Sequence, residues 1–157
     1  MPSFRLVGID HEPFEPLFGL DDTQLLAHGA VRCVATEQPG FPCRVSLEDA
    51  AVGEELLLLP FVHQPAASPY RASGPIFVRR GAKRQMLPPG VVPSYVTRRL
   101  MSVRAYDAAH MMVDAAVIEG TDVAMELDRL FANDGVAYVQ LHNAKRGCFS
   151  CTAERAD

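Results

Sequence analysis

The string Leu141-His142-Asn143-Ala144-Lys145-Arg146-Gly147-Cys148 brings together the residue types that nucleophilic catalysis uses. A tight turn centred on Lys145 sets Cys148 opposite His142, with roughly 4.5–5.5 Å between their Cβ atoms. An imidazole facing a thiol can take its proton, and Lys145 and Arg146 add positive potential that favours thiolate, the reactive form. Cys148 is then the candidate nucleophile and His142 the candidate base. Asn143 and Arg146 join the set as ligand contacts. The bland alternative is a buried cysteine beside a histidine that bonds a backbone carbonyl.

Three further places carry chemistry. Pro42-Cys43-Arg44 puts a thiol between a rigid proline and a guanidinium, and His63 ends an apolar strand, where loops carry function. Ser68-Pro69-Tyr70-Arg71-Ala72-Ser73-Gly74 concentrates hydroxyl, phenol and guanidinium donors, with Tyr70, Arg71 and Ser73 suited to clamp a carboxylate or phosphate. That loop has neither the spacing of a P-loop nor that of the dinucleotide glycine fingerprint. Cys148-Phe149-Ser150-Cys151 has the two-residue spacing of redox and zinc motifs. On a strand, however, positions three apart point to opposite faces, so Cys151 reads as a small core residue.

The elements that must position these groups follow from periodicity and punctuation. Residues 3–9, 30–36, 55–62, 76–80, 100–106, 111–118, 136–142 and 148–155 read as strands, the third so apolar that both faces should be covered. Asp21 can cap a short helix with Gln24 as its capping-box partner and Gly29 as its stop. Residues 122–132 form the best helix, with Val123, Leu127, Leu130 and Phe131 on one face. Asp107 starts a hairpin turn at 107–110, and the proline-rich stretch 86–93 reads as an irregular crossing. The sum is an α+β fold in one domain spanning residues 1–157. It is mainly an antiparallel sheet of about seven or eight strands with one longer and one shorter helix.

Composition narrows the functional classes. Of 157 residues 48% are apolar and 22% charged, which suits a globular chain with an ordinary core. No apolar run approaches the roughly 20 residues of a membrane-spanning helix. Met1-Pro2-Ser3-Phe4-Arg5 does not open a secretory signal, so the cytoplasm is the expected location. There reduced thiols are the rule and the four cysteines are expected to be free. The formal net charge is −4, yet Arg71, Arg79, Arg80, Lys83, Arg84, Arg98, Arg99 and Arg104 occupy a stretch without Asp or Glu. No aromatic stacking run or DNA-reading motif accompanies them. The segment therefore points to a small anionic ligand, and to pairing with acids of the fold, rather than to nucleic acid or a membrane.

The string Pro39-Gly40-Phe41-Pro42-Cys43-Arg44-Val45-Ser46-Leu47-Glu48-Asp49-Ala50, the pair of runs His63-Gln64-Pro65 and Ser68 to Arg79, and His142 to Cys148 resemble a bacterial family catalogued as domain of unknown function 1203. The resemblance runs nearly end to end. It implies a small bacterial protein without an assigned reaction, cofactor or catalytic residue, so no role passes to any position. Three readings follow from the residues themselves. An enzyme would use Cys148, His142 and an anion-holding Arg71 or Arg146. A metal site would draw on Cys43, His63, His142 and Cys148, whose scattered spacing matches no zinc motif. A binding module would recognise an anionic metabolite or a partner without chemistry. The first is favoured here, as a small anionic-metabolite site with a Cys/His pair; the sequence specifies no cofactor.

Overall fold

The structure, a computed structural model, describes residues 3–156. It confirms the α+β class and distributes the strands over two five-stranded sheets. The first has the order β1 (Phe4–Val7), β10 (Phe149–Arg155), β9 (Tyr138–Asn143), β7 (Leu100–Tyr106), β8 (Met112–Glu119). The second has the order β2 (Val31–Val34), β5 (Glu55–Gln64), β6 (Ala72–Arg79), β3 (Pro42–Cys43), β4 (Glu48–Asp49). All pairings are antiparallel except that of β3 with β6.

The expected single sheet of seven or eight strands is thus corrected to ten strands in two sheets of five. The additional strands β3 and β4 have two residues each, too short for any periodicity to reveal. Strand β6 begins at Ala72 rather than at 76, because Pro60 and Pro75 face each other across the β5–β6 ladder and neither needs to donate there. The crossing at 86–93 leads into a helix the sequence did not announce, α2 (Ser94–Thr97), with Pro93 at its N-cap. Strand β5 is internal to its sheet, between β2 and β6, but the expected cover on both faces holds only at Leu56 and Leu57; Val62 near its end is 45% exposed.

Local signals hold where they are local. Helix α1 (Asp22–Ala27) carries the full capping box between Asp21 and Gln24. Helix α3 (Val123–Phe131) buries Val123, Leu127, Leu130 and Phe131 against Met101, Val103, Val139 and Leu141 of the first sheet. Burying one such leucine stabilises by about 2 kcal/mol. Short 3-10 turns occupy Glu15–Gly19 and Gly120–Asp122. No helix of the described residues is long and apolar enough to cross a membrane.

The segment from Cys43 to Leu47 ties the two sheets together. Cys43 and Val45 pack in the core of the second sheet, whereas Leu47 packs in the core of the first. Leu47 adopts a left-handed backbone (φ 56°), which costs a non-glycine residue roughly 1–2 kcal/mol and is offset by its complete burial. Arg44, between the two cores, is carried inward with the chain.

Candidate functional site

The β9–β10 hairpin turns through 144–147. Asn143 N–H donates to the Cys148 carbonyl at 2.8 Å, and Gly147 N–H donates to the Asn143 carbonyl at 2.7 Å. Gly147 accepts the positive φ of 76° that this closure requires. The closing pair is therefore Asn143 with Cys148, and His142 faces Phe149. This corrects the expected register by one residue: a turn centred on Lys145 would have put Cys148 opposite His142. The glycine moves the centre of the turn half a residue along the chain. The ring of His142 meets that of Phe149 edge-on at 5.7 Å.

The partner of the Cys148 thiol is Arg44. Its Nη2 donates to Cys148 Sγ at 3.2 Å, its Nε to the Phe149 carbonyl at 2.8 Å, and its Nη1 to the Pro42 carbonyl at 2.7 Å. Arg44 is 1% exposed, and no carboxylate among the described residues pairs with it. A buried charge without a countercharge costs several kcal/mol. Among the described residues its hydrogen-bond acceptors are two carbonyls and one sulfur.

Arg44 and Cys148 open onto a cleft of about 400 Å³ whose lining includes Arg98, Arg99, Lys145, Arg146 and Asn143, with Glu37 its one lining acid. Helix α2 and the start of β7 deliver Arg98 and Arg99. Their position depends on Gly120, where a Cβ would stand 2.0 Å from the Val96 carbonyl oxygen, so only glycine lets the β8–α3 turn lie against α2. Arg99 is fastened through Nη1 to the Tyr95 carbonyl (2.7 Å) and to Asp49 (3.1 Å), and Arg98 reaches the same carboxylate at 3.3 Å. One acid for two guanidiniums leaves that corner positive. Asn143 lines the cleft with its Oδ1 buried and without a hydrogen-bond partner. A second cavity of about 330 Å³ adjoins, lined by His63, Ser73, Pro75 and Phe149, and it shares Arg44, Phe77, Arg146 and Cys148 with the first.

On the other side of the hairpin a polar cluster is buried between the sheets. Gln140 Nε2 donates to the His63 carbonyl at 2.8 Å, which turns its Oε1 toward both His63 Nδ1 and His142 Nε2, each 3.2 Å away. A carbonyl oxygen can only accept, so a ring nitrogen bonding it carries the proton. Arg104 Nη1 also stands 3.4 Å from His142 Nε2 and can only donate, so that nitrogen bonds one neighbour or the other according to its tautomer, while His142 Nδ1 is buried and without a partner. Burial, reinforced by the positive charge of Arg104 and then by His63, pushes the His142 pKa down to about 3. Burial likewise lowers that of His63, whose ring stacks on Phe149 at 5.6 Å. His142 is thus neutral at physiological pH and adds no positive charge beside the thiol.

The family model described as "Protein of unknown function (DUF1203)" matches residues 40–155. The chain belongs to this family. No curated protein and no solved structure matches it. In this DUF1203 chain the match contains Arg44, both cavity walls from Phe77 onward and the whole hairpin turn; of the residues lining the first cleft only Glu37 precedes it.

Seven of the ten residues singled out from the sequence fall in or beside this arrangement. Arg44, Cys148, Arg146 and Asn143 line the cleft, His63 and Ser73 line the adjoining cavity, and His142 stands behind them in the polar cluster. Cys43 is fully buried and its sulfur accepts from Arg79 N–H at 3.3 Å. Arg71 folds back on the Pro65 carbonyl, and Tyr70 packs edge-on against Tyr106 at 6.0 Å. Of the expected clamp on 68–74, the residues from Ala72 onward belong to β6. Cys43, His63, His142 and Cys148 do not gather as a zinc set; among the described residues, the group of three potential ligands whose atoms all lie within 4.8 Å of one another is Asp10, His11 and Glu12. Sequence reasoning missed Arg98, Arg99, Lys145 and Phe77 as lining residues. The acid-free stretch contained the signal for the two arginines, but Asp49, which gathers them, lies 49 residues from Arg98. Elsewhere that stretch pairs with the acids of the fold, through Arg79 with Glu54, Arg80 with Glu55 and Lys83 with Glu15.

Proposed function

We propose that this protein binds a small anionic metabolite in the cleft between the hairpin turn 144–147 and the Arg98–Arg99 corner, with the Cys148 thiol in its wall. The observation that carries the reading is Arg44, a guanidinium 1% exposed, without a carboxylate, at the inner end of a cleft lined by four other cations. An anion entering there supplies the missing countercharge, and charge-assisted bonds to guanidinium and amide donors hold it. Carboxylate and phosphate groups both suit these donors. The neutral His142, bonded within its own cluster, favours binding over activation of the thiol by that imidazole.

Thermal unfolding in inorganic phosphate, compared with chloride at equal ionic strength, tests the reading. Binding to the folded chain alone stabilises it by about 1.4 kcal/mol at ten times Kd. The double variant Lys145→Glu, Arg146→Glu, which changes only exposed turn residues, is expected to abolish the rise. Equal Tm values in the two salts, or an undiminished rise in the variant, overturn it.

A further inference from the structure

We propose that Cys148 exchanges with the disulfide of a low-mass thiol that carries carboxylates or phosphates, and so becomes the site of a mixed disulfide with an anionic thiol. The inference deepens the anion-cleft reading and rests on it. Three observations converge. Cys148 is half-buried, so a small molecule can reach it, whereas Cys43 and Cys151 are completely buried; Cys33 is half-buried too but lines neither cavity. Cys148 borders both the cationic cleft and the adjoining cavity, which it lines together with Arg44 and Arg146. And Asn143, nine-tenths buried, lines the cleft across the turn from that thiol and holds an unpartnered Oδ1, an acceptor suited to an N–H or O–H of the thiol compound rather than to its anionic group.

A disulfide presents two substituents on either side of its sulfurs, and Cys148 borders two adjoining cavities. The anionic half suits the cleft with Arg98, Arg99 and Lys145; the other half suits the cavity beside His63 and Ser73. Attack by the Cys148 thiolate on the sulfur held in the cleft forms one S–S bond and breaks one. The departing half leaves as a thiolate that takes a proton from water. The Cys148 sulfur is oxidised, the departing sulfur is reduced by the same amount, and no other oxidant is needed. The negative charge shared over the sulfurs in the transition state faces the Arg44 guanidinium, whose Nη2 is 3.2 Å from Cys148 Sγ.

The experiment compares three disulfides on the reduced, full-length protein at pH 8. They are oxidised glutathione, with net negative charge, bis(2-hydroxyethyl) disulfide, which is neutral, and cystamine, which is cationic. Adducts are followed by intact mass and located by peptide mapping. Expected is modification at Cys148 by the glutathione disulfide at least about tenfold faster than by cystamine at low salt, with the ratio falling as salt screens the cleft. Lys145→Glu, Arg146→Glu should invert or erase that order, and inorganic phosphate should slow the anionic probe but not the neutral one. Equal rates for the three probes, faster reaction with cystamine, or adducts at another cysteine overturn the inference. If the phosphate-dependent rise in Tm stands while Cys148 shows no preference, the thiol exchange fails and the anion cleft survives. If both vanish, the cleft reading itself has failed.

Discussion

Acid should destabilise this protein through His142, by an amount that can be worked out from its burial. In the unfolded chain the imidazole protonates at its ordinary pKa of 6.5, whereas in the fold burial and Arg104 push it down to about 3. Between those values the unfolded state binds a proton that the folded state refuses, so stability increases with pH across this window. The contribution is complete above pH 6.5 and is lost progressively as pH falls toward 3. Integrating from pH 8 to pH 5 gives a loss of about 2 kcal/mol from this one residue. His63, lowered in the same direction, adds to the total. The perturbation is His142→Gln, which keeps a neutral polar group and removes the titration. Urea unfolding at pH 8 and pH 5, followed by far-ultraviolet circular dichroism because the chain has no tryptophan, should show a pH-dependent loss about 2 kcal/mol smaller in the variant. Ring resonances of His142 should meanwhile stay at their neutral positions down to pH 5. If wild type and variant lose the same stability within a few tenths of a kcal/mol, or if His142 titrates near 6.5, desolvation is not governing this ring and the account of the buried cluster is wrong.

The remaining predictions concern the thiols and the backbone behind the cleft. Site-resolved iodoacetamide labelling of the native protein should modify Cys148 before Cys33, whose thiol is pushed up by burial, and should reach Cys43 and Cys151 only on unfolding. His142→Gln should leave the Cys148 rate within about twofold, since Arg44 and not the imidazole bonds that sulfur; a large fall would mean that the ring reaches the thiol. Gly120→Ala drives a Cβ to 2.0 Å from the Val96 carbonyl and 2.6 Å from that of Arg99. It should cost about 3 kcal/mol or more in chemical denaturation and also weaken phosphate binding, whereas a near-wild-type value would show that the α2 corner moves freely.

How much the sequence revealed depended on how far apart the interacting residues lie. The Asp21–Gln24 capping box was legible because both partners sit within one turn, and so was the apolar face of α3, because its spacing is that of the helix itself. Asp107 also acts as expected, its Oδ1 accepting from Ala109 and Met111 N–H. The division into two sheets was hidden, since alternation shows that a segment is a strand and not which strand it pairs with. Register at the functional hairpin turned on one glycine in the left-handed region, and a one-residue slip exchanges the faces of a strand. The convergence of Cys148, Arg146, Asn143 and Arg44 was partly anticipated from their clustering in two short strings, though not the bond between two of them. Arginine is a residue type that composition assigns to the surface. Nothing local marks Arg44 as buried; its position follows from the cores on either side of Val45 and Leu47.

The reach of Arg44 also fixes when, in the life of a polypeptide, the cleft can exist. Its Nε acceptor is 105 residues further along the chain and its sulfur partner 104. During synthesis the second sheet, with Arg44 in the turn just after its short β3 strand, leaves the ribosome long before the hairpin that receives the guanidinium. Through that interval the arginine has neither Phe149 nor Cys148 to face and remains in water. Only when the last strand has emerged can the side chain be drawn in and the wall of the cleft closed over it. A nascent or prematurely ended chain therefore carries Arg98, Arg99 and the earlier cysteines but no closed cleft, whose wall is complete only once the β9–β10 hairpin has been translated.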